Sequence, residues 1–270
     1  MNTLFNQPTA TFDQALTVKN NLSSFVYTNA LLDHSADFNV NLIHFWSLTD
    51  TVILGLKDQR LPHLQDALAF LKQRGFHYFM RNSGGLAVVS DTGVLNFSIF
   101  LPWHLVGREL KIDEAYQVMT DIISQAFPEL TIETGEIKHS YCPGTFDISV
   151  NGQKIGGMAQ RRNKNGAVVM LYLSVCGNQT SRGELIRDFY SHGLQNEENK
   201  WHFPDVWPTA MTTVEELLHQ PLTMQDAKQR LAGVFTNQQA DIKQLFWSTP
   251  FIESLAKQVT YMQRLQERLN

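Results

Sequence analysis

The chain has 270 residues, 43% of them hydrophobic, with a formal net charge of -4 and a pI near 6.1. That is enough apolar sequence to bury a large core without staples, and the acidic balance argues against a general nucleic-acid coat. Only Cys142 and Cys176 could form a disulfide, the segment from Met1 to Asp13 has no basic region followed by an apolar run, and no apolar stretch reaches bilayer length. The expectation is a cytoplasmic protein with no membrane or nucleic-acid partner.

Taken in chain order, Asn41 to Trp46 and Thr51 to Leu54 read as two strands joined by a turn. Leu64, Leu68 and Leu71 then recur at helical spacing between Pro62 and Gly75. Phe76 to Met80 predicts another strand, and Leu86 to Ser90 with Val94 to Leu101 predict a hairpin around Asp91-Thr92-Gly93. Asp113 to Phe127 carries Ala115, Val118, Met119, Ile122 and Ile123 on one face, with Asp113 as its cap.

Phe146 to Val150, Gln153 to Arg161 and Gly166 to Val175 read as a meander, turned by Asn151-Gly152 and Asn165-Gly166, residues that tolerate positive φ. Arg161, Arg162 and Lys164 are a local basic group, read as a solvated loop. Beyond Trp201 the pattern becomes helical: a capping box from Thr212 to Glu215, a segment opened by Leu222-Thr223, and a last helix from Pro250 through Leu269. Helices segregated around a mostly antiparallel sheet predict an α+β fold.

Two constellations carry chemistry. Ser140-Tyr141-Cys142-Pro143-Gly144 offers a thiol in a turn, and Lys154 follows in Gly152-Gln153-Lys154-Ile155-Gly156-Gly157. A thiolate is the reactive form of cysteine and a nearby ammonium stabilises it, so the pair reads as covalent acyl transfer if the fold joins them. Otherwise Cys142 is an inert core thiol and Lys154 a solvated cation. Arg81-Asn82-Ser83-Gly84-Gly85-Leu86-Ala87-Val88 lies between two predicted strands. Its glycines let backbone approach a ligand or simply make a bulge, and Arg81 holds an anion or a structural carbonyl. Asp91 and Asn96 read equally as a turn former and a backbone partner. His139 is near Cys142 only in sequence, His192 and His202 have no zinc or iron partner set, and Cys176 reads as packing.

The order of Arg81 to Val88, Asp91, Gly93 and Asn96, Asp147-Ile148-Ser149-Val150, then Lys154-Ile155-Gly156-Gly157 resembles the biotin and lipoate protein ligase catalytic-domain superfamily, over about residues 41–218. The resemblance implies a single catalytic domain over 1–270, with residues from about 219 as a helical extension. Within the superfamily, Asn82-Ser83-Gly84-Gly85-Leu86 joined to Ser140-Tyr141-Cys142-Pro143-Gly144 most resembles the amidotransferase branch. That branch moves octanoyl groups from the lysine of the glycine cleavage H protein to lysines of 2-oxoacid dehydrogenase E2 lipoyl domains. It implies Cys142 and Lys154 as catalytic residues, an acyl-substrate site bordered by Arg81, Ser83, Gly84, Gly85, Gly156 and Gly157, and no metal or cofactor.

ATP-dependent lipoate ligases resemble Arg-Arg-x-Gly-Gly-Gly in the first motif, against Asn82 and Leu86 here. Transferases that use octanoyl-acyl carrier protein share the cysteine and lysine, but their first motif resembles Thr-Gly-Gly-Arg. These two activities and a noncatalytic lipoyl-domain binder are the alternatives. Leu86, Val88 and other central-strand residues either line an acyl tunnel or pack the core.

Overall fold

The computed structural model describes residues 5–235 and 240–269. In chain order it places β1 at Thr9–Ala15, α1 at Ser23–Asp33, β2 at Asn41–Ser47, β3 at Thr51–Leu54, α2 at Leu64–Gln73, β4 at His77–Met80, β5 at Val88–Ser90 and β6 at Val94–Pro102. There follow α3 at Ile112–Ala126, β7 at Glu133–Thr134, β8 at Ile148–Val150, β9 at Gln153–Asn163, β10 at Gly166–Ser174 and α4 at Gln179–Leu194. The chain ends with α5 at Val214–Leu218, α6 at Met224–Gly233 and α7 at Thr249–Gln266.

Seven strands form one sheet in the order β1-β2-β6-β10-β9-β8-β7 and three form a second, β4-β3-β5. In the large sheet only β1 and β2 run parallel, and in the small one β3 and β4 do. β6 and β10 are buried along their whole nine-residue lengths, which is why both read as nearly continuous apolar runs at the centre of the sheet. Their side chains divide between two cores. Leu95, Phe97 and Ile99 meet the Val118, Met119 and Ile122 stripe of α3, while Phe100, Val168, Met170 and Tyr172 belong with Phe25, Leu31 and Leu32 of α1.

The predicted α+β class holds, with three local corrections. Val88–Ser90 and Val94–Pro102 are not a hairpin, because β5 pairs with β3 and β6 with β2 and β10, so Asp91-Thr92-Gly93 hands the chain from one sheet to the other. The Arg182 guanidinium holds this turn bidentately through Asp91, both bonds 2.7 Å. Asn165 and Gly166 do not take positive φ as Asn151 and Gly152 do, because the Asn163 side chain accepts both of their N–H groups instead. Both helix caps are displaced by one or two residues. Glu114 accepts from Lys111 N–H ahead of α3, with Asp113 in the first turn, and Thr213 with Glu216 closes the box on α5.

Two long helices and the edge strand β1 were not visible in the sequence. Ser23–Asp33 is buried around most of its circumference and so has no amphipathic period. Gln179–Leu194 carries two glycines that signal a break, yet a Cβ at Gly183 would sit 2.8 Å from Pro208 Cα and one at Gly193 2.8 Å from Leu61, so packing demands them. At the C-terminus, α6 packs on α3, while α7, begun by the Ser248 cap and Pro250, packs on α1 and β4. Arg161 and Arg162 of the basic group are half-buried. Arg161 bonds Asn29, and Arg162 reaches Leu110 O and lies over the Trp103 ring.

Candidate active site

Cys142 sits at φ +48° in the loop between β7 and β8, a left-handed conformation that cysteine adopts only when its surroundings hold it there. Lys154 supplies much of that hold. β8 and β9 slip register so that Ile148 faces Gly156 while Ser149 faces Lys154, and the extra residue Ile155 enters the core under the sheet. This bulge turns Lys154 toward the Cys142 loop. Its ammonium, 1% exposed, donates to Cys142 O at 2.8 Å, Tyr141 O at 3.0 Å and Ser140 Oγ at 3.2 Å, and pairs with Asp147 Oδ1 at 2.9 Å. Asp147 in turn accepts from the N–H groups of Ile137 and Gly144. Burial pushes the Asp147 carboxyl up, against the pull of Lys154 and those N–H groups.

The donors that reach the Cys142 sulfur come from the other motif. Leu86 N–H lies 3.1 Å from Sγ and Arg81 Nη2 3.7 Å. Arg81 is buried and also donates to Leu86 O at 2.9 Å and Gly84 O at 3.0 Å, so it holds the glycine loop and faces the thiol at once. Gly85 has φ +95°, and a Cβ there would stand 2.6 Å from Arg81 Nη2 and 2.9 Å from Cys142 Sγ. Behind it, a Cβ on Gly55 would meet Gly85 O at 2.0 Å. Both glycines are required by approach and not by turn geometry alone.

Arg81, Ser83, Gly84, Gly85, Cys142 and Gly157 line one cavity of about 430 Å³. Its apolar wall is Phe25, Trp46, Ile53, Val88 and Met170, so Val88 has the lining position that the sequence left open, and Leu86 instead offers its backbone N–H. Ser83 Oγ is buried in the cavity wall without a protein partner. Lys154 and Gly156 stand behind the lining. A Cβ on Gly156 would meet Tyr172 O at 2.7 Å and one on Gly157 the Tyr172 ring at 2.6 Å, so the two glycines let β9 press against Tyr172.

Other sequence candidates fall elsewhere. His139 stacks on Trp207 with ring centres 3.6 Å apart and binds Asp205 O, and His192 stacks on Phe70. Asn96, by contrast, lines the same cavity and donates to Ser90 Oγ. Cys176 is half-buried, its carbonyl taken by Arg182, and burial pushes its thiol up. Sequence reasoning missed Leu86 N–H, which has no side-chain signal, and the chain from Asp91 through Arg182 and Gln179 to the buried hydroxyl of Tyr141, the residue before Cys142.

It also missed Asp58. Its carboxyl is fully buried, accepts from Gly55 N–H at 2.7 Å and from Tyr190 OH at 2.8 Å, and the same hydroxyl accepts from Ala87 N–H. Burial pushes Asp58 up to about 7. A carboxyl raised in the folded state binds a proton there that the unfolded chain has released, so its stabilising contribution is complete below its ordinary range and is lost as pH rises toward 7. In urea titrations from pH 5 to 8, the stability advantage of the wild type over Asp58→Asn is expected to shrink up to about pH 7 and then to level off. An advantage that grows with pH would contradict the protonated assignment.

Residues 20–236 match the model of the lipoyl protein ligase A/B catalytic domain. The chain belongs to this family. Within it, an octanoyl-[GcvH]:protein N-octanoyltransferase of an Exiguobacterium species is 44% identical over 197 residues, covering 72% of this chain and 69% of that protein. One of Oceanobacillus iheyensis is 36% identical over 249 residues, covering 91% and 88%. Among solved structures, a lipoate-protein ligase A bound with ATP has a TM-score of 0.66 over 93% of each chain at 18% identity, a likeness of fold. The family match begins before the span 41–218 drawn from the motifs because it takes in α1, the helix without a periodic signal.

Proposed function

We propose that this lipoyl ligase-family protein is a cytoplasmic amidotransferase that moves an octanoyl or lipoyl group from the lysine of the glycine cleavage H protein to lysines of E2 lipoyl domains, through a thioester on Cys142. The names of its relatives support the reaction class. The observation that carries the mechanism is the placement of the Cys142 sulfur at a largely apolar cavity, within 3.1 Å of the Leu86 N–H.

In this reading the Cys142 thiolate attacks the amide carbonyl of the donor's acyl-lysine, forming a C–S bond and a tetrahedral oxyanion. That intermediate collapses by breaking the C–N bond, and the departing amine takes a proton. The acceptor's neutral lysine amine then attacks the thioester, loses a proton and returns the thiolate, so one amide replaces another with no nucleotide consumed. Leu86 N–H and Arg81 are the candidate stabilisers of negative charge on sulfur and oxygen. The candidate loop anchor and proton carrier is Lys154. Ser83, Gly84 and Gly85, with Gly156 and Gly157 behind, shape the acyl site. Burying the seven carbons beyond the carbonyl of an octanoyl chain against Phe25, Trp46 and Met170 would contribute about 6 kcal/mol.

Mixing the protein with octanoylated H protein is expected to give a hydroxylamine-labile adduct on the Cys142 peptide by mass spectrometry, and transfer to an E2 lipoyl domain without ATP. Cys142→Ala is expected to lose both. Turnover by that variant would exclude the thioester, and acyl-adenylate formation from octanoate and ATP would point to a ligase instead.

A further inference from the structure

Arg81 reaches the sulfur from the end of an edge strand, which is a weak foundation for a group that must be placed to a fraction of an ångström. Among the described residues β4 pairs only with β3, in parallel. In a parallel ladder alternate residues face the partner, and here Arg81 N–H donates to Leu54 O at 2.9 Å. The N–H and C=O of Met80, one residue earlier, therefore point away from β3 toward the outer edge. Both are taken by one side chain. Gln266, in the last turn of α7, accepts from Met80 N–H at 2.7 Å and donates to Met80 O at 3.0 Å, as a further strand would. The same amide nitrogen also donates to Met262 O at 2.8 Å, which fixes the carboxamide on its own helix.

The rest of α7 is oriented to serve this contact. Phe251, Met262 and Leu265 are buried, and the helix packs on α1 and β4. α1 in turn brings Phe25 to the cavity, where its ring meets Phe79 of β4 edge-on at 5.9 Å. The family match ends at residue 236, so Gln266 lies outside it.

We propose that Gln266 is a positioning residue for acyl transfer: it closes the free edge of β4 at Met80 and so sets Arg81 against Cys142. This inference rests on the thioester reading above. Without the clamp the β4 edge frays, Arg81 samples orientations in which Nη2 is withdrawn from the sulfur, and the acylation step slows while binding of the protein substrates does not change.

The test compares wild type, Gln266→Leu, Arg81→Lys and the double variant in single-turnover acylation of Cys142 by octanoylated H protein. Gln266→Leu is expected to lower the acylation rate about tenfold with KM for H protein unchanged. In the Arg81→Lys background the same change is expected to cost less than about twofold, because the group being positioned is already gone. Gln65→Leu, which removes the Gln65 Nε2 bond to Leu269 O on the same C-terminal segment, controls for general loosening and is expected to keep the wild-type rate. If Gln266→Leu does not fold, Gln266→Glu replaces it, keeping the acceptor for Met80 N–H and losing the donor to Met80 O. An unchanged rate, a change in KM alone, or full additivity with Arg81→Lys would overturn the proposal. Failure of wild type itself to form the adduct would overturn the thioester reading instead.

Discussion

Replacing Lys154 by methionine is expected to cost about 3–5 kcal/mol of stability, because it strands the Asp147 carboxylate inside the protein, and to abolish acyl transfer. The ammonium is enclosed by Asp147, Ser140 Oγ and two loop carbonyls, so its removal leaves at least three acceptors without their donor. Asp147, already raised by burial with its partner present, would hold its proton to still higher pH. Wild type and variant lose stability in parallel until the raised wild-type carboxyl ionises, so the penalty of the variant grows only as pH rises past that point toward the variant's still higher one. A second change, Asp147→Asn, removes the stranded charge while keeping an acceptor for the N–H groups of Ile137 and Gly144. The double variant is expected to regain much of the lost stability in urea denaturation and none of the transfer. If it also regained transfer, Lys154 would be a loop anchor only and its part in the proton economy would be excluded.

That distinction matters because the sequence suggested a direct pairing of ammonium and sulfur, and the structure arranges them through the loop. The two motifs were legible because glycine pairs, a lone thiol and a lysine are strong local signals. What joins them was not. The donor nearest the sulfur belongs to the backbone of Leu86, whose side chain says nothing about it. Inward rotation of Lys154 depends on a bulge at Ile155, and the alternation of the strand gives no warning of it. Nor does the strand pattern reveal that Asp91-Thr92-Gly93 changes sheets, since a turn between two apolar runs looks the same whether the runs pair or part. Long-range partners decide each case: Asp91 with Arg182, Asp58 with Tyr190, and Gln266 with Met80 are each more than ninety residues apart in the chain.

The two adjacent glycines of the first motif should behave very differently when each is changed to alanine. At Gly85 a methyl group would lie inside contact distance of both the Arg81 guanidinium and the Cys142 sulfur, on a backbone with φ +95° that alanine disfavours. One of the two functional groups must move, and Arg81 is tied to the loop it would have to leave. Cys142 acylation is therefore expected to fall by more than about a hundredfold in Gly85→Ala, since displacements near an ångström have costs of that size. At Gly84, which is exposed, a methyl group meets nothing within 4 Å and no positive φ is required. Gly84→Ala should leave stability and the rate of Cys142 alkylation by iodoacetamide at wild-type values. Any loss of transfer there then reports a clash with substrate and not with protein. Single-turnover acylation and thiol alkylation on the two variants make the comparison. Near-normal acylation in Gly85→Ala would mean that the sulfur works from a position other than the one between Arg81 and Leu86.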